Sequence, residues 1–165
     1  MTATLTKRWD VVITLSCASF AARNFGVKTV TGQVPIREAW VDVDGTDRPI
    51  AAHASLDLAA LSTGNARRDR DLAKPSLLDT GRYAELVFSG GPGQPADGCW
   101  HVPGKLSGRG GTVDVELAVT VQRSGDKVHV HASTSFDRRD LGITAPRMLI
   151  GTRIAVTVDA VLRPA

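Results

Sequence analysis

His129 and His131 stand two apart in an alternating stretch, so on a β-strand both side chains leave the same face. Two imidazoles placed that way can hold a divalent metal if a third ligand joins them. No Cys, Asp or Glu is set by sequence to do so, and the face is otherwise polar, which reads as a solvated surface rather than a metal centre. His53 and His101 are isolated in the sequence. Asp114 and Glu116 share a polar strand face, the pattern of solvated carboxylates. Gly108-Arg109-Gly110-Gly111 has the composition of a phosphate loop, but a strand follows it, so no helix N-terminus faces an anion and it reads as a hairpin turn. Thr63-Gly64-Asn65 with Arg68-Asp69 can bind a polar head group. Its residue types are also those of a turn, a helix N-cap and an Arg–Asp interaction that pins the helix, and this structural reading is the stronger. Arg139-Asp140 followed by Gly142 reads the same way. Cys17 and Cys99 lie 82 positions apart, fit no zinc or redox spacing, and leave a disulfide open. There is no Gly-x-Ser-x-Gly elbow, no His-Glu-x-x-His and no Cys-His signature, so no enzymatic activity and no cofactor is expected.

The elements that must carry these residues alternate almost throughout. Val113, Val115, Leu117, Val119 and Val121 occupy successive odd positions and share one sheet face. Ser124-Gly125-Asp126 supplies a turn. Val128, Val130, Ala132, Thr134 and Phe136 then alternate with His129, His131, Ser133, Ser135 and Asp137, which predicts a β-hairpin. Stretches 50–58 and 153–162 repeat the pattern, and further strands are expected at about 9–24, 29–43, 83–89 and 99–107. A Gly/Pro-rich loop, 90–98, separates the last two. One stretch departs from the period of two. Gly64 turns the chain, Asn65 caps, Asp69 favours the helix dipole and Pro75 stops, predicting a short helix over 66–74 and a further turn at 76–79. About eight antiparallel strands with one helical excursion, no repeat and no linker predict a single all-β domain over 1–165. A closed barrel and a sandwich both satisfy the pattern.

Composition narrows the function classes. The chain has 165 residues, 42% hydrophobic and 22% charged, ordinary for a folded domain with a real core. Net charge is +3, from 15 Arg and 5 Lys against 17 acidic residues. Arg67, Arg68 and Arg70 cluster, but Asp69 and Asp71 interleave with them, so no nucleic-acid partner is expected. Only eight residues are aromatic, and the apolar content is mostly Ala, Val and Leu. Lys7-Arg8 ahead of Val11–Cys17 has the look of a signal peptide, but Trp9-Asp10 interrupts it and the apolar run is short. Nothing approaches the ~20 apolar residues of a membrane span. The expectation is a cytoplasmic protein with no membrane span.

Several motifs, in order, resemble those of the YceI-like family. Phe25-Gly26 with Val30-Thr31-Gly32 is similar to its Phe-Gly and Val-x-Gly elements. Thr63-Gly64-Asn65, Arg68-Asp69 and Leu72 resemble its most distinctive signature. Leu78-Asp79, Tyr83, Phe88, Leu106, Arg109-Gly110, Thr112 and Arg139–Ile143 fall where the family has further marks. The family's Asp-Pro-x-His-Ser element is replaced by Val12-Ile13-Thr14-Leu15-Ser16, its His before Phe-Gly by Asn24, and its His before the helix-terminal Leu by Asp71, so the chain resembles a divergent member. The resemblance implies a lipocalin-like eight-stranded antiparallel barrel. It implies a long apolar ligand inside, a polyisoprenoid or isoprenoid quinone, and it admits a homodimer.

The small aromatic share then becomes a statement about volume. An eight-stranded barrel is just wide enough to fill with side chains or to hold one small ligand. Walls of Val and Ala leave space that a slim acyl or prenyl chain can occupy, at about 0.8 kcal/mol per buried CH₂. The expected lining is Phe20, Phe25, Val34, Leu56, Leu61, Leu72, Leu77, Leu78, Phe88, Leu117, Val119, Val130, Phe136, Met148 and Ile154. The expected function is binding, transport or storage of that lipid without catalysis. The alternative is a barrel packed shut, acting as a structural or protein-interaction module with Trp40 or Trp100 exposed at a partner surface.

Overall fold

The alternating segments form eleven strands in the computed structural model, in which residues 6–23, 29–143 and 152–165 are described. They are β1 (Lys7–Val11), β2 (Cys17–Arg23), β3 (Thr29–Val34), β4 (Ile36–Val43), β5 (Pro49–Asp57), β6 (Glu85–Gly90), β7 (Gln94–Ala96), β8 (Cys99–Gly108), β9 (Gly111–Ser124), β10 (Lys127–Asp137) and β11 (Arg153–Pro164). Every pairing is antiparallel. β1 with β2 make one broken barrel strand, and β3 with β4 another, so the sheet order closes as eight strands. The seam is β11, which pairs β2 along Ile154–Asp159 and β1 along Leu162–Pro164. Closure rules out the sandwich and, among the described residues, reduces the unladdered edges to short stretches such as β7 and the outer side of β3.

The two breaks fall where the sequence reading expected unbroken strands at 9–24 and 29–43. Pro35 lacks the N–H a ladder needs and divides β3 from β4. Between β1 and β2 the chain makes a 3-10 turn, Ile13–Leu15. Ser16 repairs the ladder there: its Oγ donates to Val12 O at 2.7 Å and accepts from Val161 N at 2.9 Å. Ser16 is the residue of the family's Asp-Pro-x-His-Ser element that this chain retains. The helix, α1, spans Ala66–Leu72 and stops short of Pro75. The loop before β8 contains β7, which the Gly/Pro content hid.

Inward faces follow the predicted alternation. Ala22, Val34, Leu56, Phe88, Val102, Leu106, Val115, Val119 and Phe136 belong to one buried cluster, and Trp9, Val128, Ala160 and Leu162 to a second near one end. Glycine allows the Phe88 ring to lie flat against the neighbouring strand. A Cβ on Gly104 would sit 2.6 Å from two Phe88 ring atoms and from Ser89 O. Gly104→Ala is therefore expected to cost at least about 1 kcal/mol by overpacking, read as a lower urea midpoint at unchanged slope. An unchanged midpoint would show that the ring can move aside.

Candidate functional site

The barrel is not filled. A cavity of ≈ 390 Å³ runs inside it, bounded by β1, β4, β5, β6, β8, β9, β10 and β11. That lies within the usual range for small-molecule sites, about 300–1,000 Å³. Its walls are slight where the sequence placed small residues: Ala39, Ala52, Ala54, Ala132 and Ala160 stand among Val41, Val119, Val130, Val156 and Val158. A second apolar compartment of ≈ 80 Å³ lies towards the α1 end, and Leu56, Leu86 and Val156 line both.

Of the residues expected at the lining, Leu56, Phe88, Leu117, Val119 and Val130 border the large cavity. Phe20, Val34, Leu61, Leu72, Leu77, Leu78, Phe136 and Ile154 border the small one, as Leu56 also does. Phe25 and Met148 lie outside the described residues. The expected walls of Val and Ala are present, although the named lining lacks the individual alanines as well as Trp9 and Trp100. Trp100, expected as a partner-surface candidate, faces the cavity and packs on the core. The alternation of β5 and β10 carries the signal for Ala52, Ala54 and Ala132.

The two barrel ends differ. At one, the β4–β5 turn and the end of β9 are four strands apart around the barrel, yet Arg123 ion-pairs with Asp47 across it. Arg123 also lies 5.6 Å from the Trp9 ring centroid, with the Lys7 ammonium 4.9 Å from the same ring. The other end is capped by α1 and the segments that follow β5 and β10. There the Thr63–Asp69 unit acts structurally. Asn65 Oδ1 accepts from Arg68 N at 3.0 Å, and Thr63 Oγ1 donates to Asp69 Oδ1 at 2.6 Å while accepting from Arg68 Nε at 2.9 Å. Arg68 and Asp69 thus meet on Thr63, where the sequence reading paired them with each other. The Gly108–Gly111 segment is the expected hairpin turn, with φ positive at Arg109 and Gly110 as a type I′ turn requires. Arg109 donates to Leu77 O at 2.8 Å and Pro75 O at 2.6 Å, tying the cap to the barrel.

The 3-10 turn after β10, Arg138–Leu141, ends on Gly142 in the left-handed region. Asp137 caps it, accepting from Arg139 N at 2.9 Å and from Arg139 Nη2 at 2.6 Å. Arg139 therefore pairs with Asp137 and not with Asp140. Those hydrogen bonds hold the Asp137 carboxyl at about 2, below its ordinary 3.8. A depressed folded-state value stabilises the fold above the ordinary carboxylate range and loses that contribution as pH falls from about 4 to about 2. Urea unfolding across that window is expected to show a loss that Asp137→Asn reduces; equal slopes for the two proteins would refute the assignment.

The histidines do not assemble a centre. His53 Nε2 lies 3.0 Å from Glu38 Oε1, His101 Nδ1 2.7 Å from Glu116 Oε1, and His131 Nδ1 2.6 Å from Asp159 Oδ1. The sequence reading had no acidic partner beside His131 and treated His53 and His101 as isolated; cross-strand register supplies all three partners. Among the described residues no group of three His, Cys, Asp or Glu side chains converges. Cys17 and Cys99 are both free. Among the described residues no helix is long and apolar enough to cross a membrane.

A YceI-like domain model matches residues 9–162. BcnA of Burkholderia cenocepacia superposes with a TM-score of 0.82 at 19% identity, over 92% of this chain and 99% of that one. A polyisoprenoid binding domain from Saccharophagus degradans, implicated in plant cell wall breakdown, superposes at 0.71 and 17% identity, over 95% and 98%. The YCEI protein of Campylobacter jejuni does so at 0.72 and 16%, over 87% and 89%. Among curated proteins none matches the chain.

Proposed function

The chain belongs to the YceI-like family, and from that premise we propose that it binds a long apolar lipid, a polyisoprenoid or isoprenoid quinone, inside its barrel and carries or stores it unchanged. The observation that carries this reading is the cavity itself: ≈ 390 Å³ of space walled by Ala and Val in a barrel whose length could have been packed shut. An empty apolar void forfeits dispersion contacts, and a chain laid along it restores them. At about 0.8 kcal/mol per buried CH₂, several isoprene units reach useful affinity with few polar anchors. The relative whose name includes polyisoprenoid binding supports the choice of chain.

The proposal is for a non-enzymatic protein with no cofactor, acting in the cytoplasm, where two free cysteines, one of them exposed, are chemically at ease. It includes the homodimer that the family resemblance admits, to be checked by sedimentation at micromolar concentration. The decisive experiment is organic extraction and mass spectrometry of the purified protein, followed by titration with geranylgeraniol and a prenyl quinone. A co-purifying prenyl lipid, or saturable uptake near one equivalent, is the expected result. No extracted lipid and no uptake of either probe would overturn the proposal.

A further inference from the structure

The barrel wall has an opening in it. The β9–β10 ladder runs from Ser124↔Lys127 at the hairpin to Ala118↔Ser133 and stops there. Beyond that point β9 stays paired to β8 as far as Gly111, and β10 stays paired to β11 as far as Asp137. Each strand is held by its outer neighbour while the two part from one another. Laddered strands lie about 4.8 Å apart and admit nothing between them; here about 13 Å of strand, residues 134–137 of β10, has no partner on its β9 side. The opening is bounded below, where the Arg138–Leu141 turn returns to β9: Leu141 Cα would lie 3.0 Å from a Cβ on Gly111. It is a window closed on all sides.

Outside the window is a polar cleft between the strands; behind it is the apolar interior. Thr134 lines both the cleft and the large cavity. The charged groups around the cleft are already engaged. Lys105 Nζ bonds Asp114 at 2.8 Å, His101 bonds Glu116 at 2.7 Å, and Arg153 Nη2 donates to Ser135 Oγ at 3.0 Å. Each basic side chain named here already has a partner, which disfavours an anionic head. The hydroxyls of Ser133, Thr134 and Ser135, with the unladdered backbone edge, suit an uncharged hydrogen-bonding one.

We propose that the window between β9 and β10 is the portal through which the lipid's chain enters the barrel, its uncharged polar head remaining at Thr134. This rests on the lipid-binding reading above. The Arg123–Asp47 pair and Trp9 lie across the barrel end at the β4–β5 turn, and among the described residues α1 with its following segment lies over the other, which favours an approach through the side wall.

The test compares two tethered plugs in a Cys17→Ser, Cys99→Ser background. Ser135→Cys at the window and Asp126→Cys at the hairpin tip are each capped after folding with polyethylene-glycol maleimide, which removes any folding ambiguity. Uptake of geranylgeraniol is followed by the emission of the cavity tryptophans. The window plug is expected to slow association at least tenfold and the tip plug to leave it unchanged; slowing by the tip plug, or by neither, would overturn the portal. Thr134→Val is expected to weaken geranylgeraniol about fivefold and leave squalene, which has no head, unaffected. Equal effects on both would overturn the placement of the head. Absence of uptake by the unplugged protein would instead overturn the lipid-binding reading, and the portal with it.

Discussion

Ala132→Trp is expected to weaken equilibrium binding of geranylgeraniol about 100-fold while the protein melts near the wild-type temperature. Ala132 sits on β10 opposite Val119 on one side and Val158 on the other, with its side chain at the cavity. An indole there projects into empty space, so most of the about 1–3 kcal/mol that overpacking costs in a filled core is avoided. It takes the room of three or four methylene groups of a bound chain. At about 0.8 kcal/mol each the loss is about 3 kcal/mol, or about two powers of ten in affinity. Thr120→Trp, on the exposed face of β9, is the control and should bind as the wild type does. Undiminished binding by Ala132→Trp would mean that the ligand lies elsewhere than the barrel interior.

The second large effect concerns the capped end. Arg138 is 1% exposed, and its Nη1 donates to Ile143 O at 2.6 Å while its backbone N–H reaches Thr152 O at 2.8 Å. It also borders the small compartment, so its charge and the apolar interior meet. Arg138→Met keeps much of the length of the side chain and removes its side-chain donors, leaving the backbone bond to Thr152 in place. Hydrogen bonds from charged groups contribute about 1.5–3 kcal/mol, and the abandoned carbonyl stays buried. The expected loss is about 2–3 kcal/mol, a fall in melting temperature of about 4–12 °C for a domain of this size. Arg139→Met is the contrast. That guanidinium is exposed and its pair with Asp137 is screened, so the change should stay within about 1 kcal/mol. Equal effects at the two positions would show that burial of Arg138 contributes nothing.

Much of the barrel is legible in the sequence. Alternation placed Val115, Val119, Val130, Phe136 and Ile154 inward, because a strand's side chains can only alternate and one face must leave water. The cap was legible at Asn65, since few residue types satisfy a helix's first N–H groups. The break at Ile13–Leu15 was not. The segment 9–24 is apolar enough for one strand, and the bonds from Val12 N to Val161 O and from Val161 N to Ser16 Oγ explain how the ladder survives the interruption. The pairing of β7 was hidden for the opposite reason: Gly and Pro argue against a strand, and an edge position tolerates them.

The candidate site divides along the same line. Which faces are apolar, and that their residues are small, is a property of sequence alone, because hydropathy and side-chain volume belong to each residue wherever it sits. Register does not. It is a relation between residues far apart in the chain, set when whole strands dock, and it decided that Asp159 faces His131, that Arg123 reaches Asp47, and that β9 and β10 part company after Ala118 and Ser133. The cavity volume is of the same kind. Small walls make a void possible; the closure of eight strands at a fixed girth makes it real, because the backbone cannot contract to meet side chains that stop short of the axis.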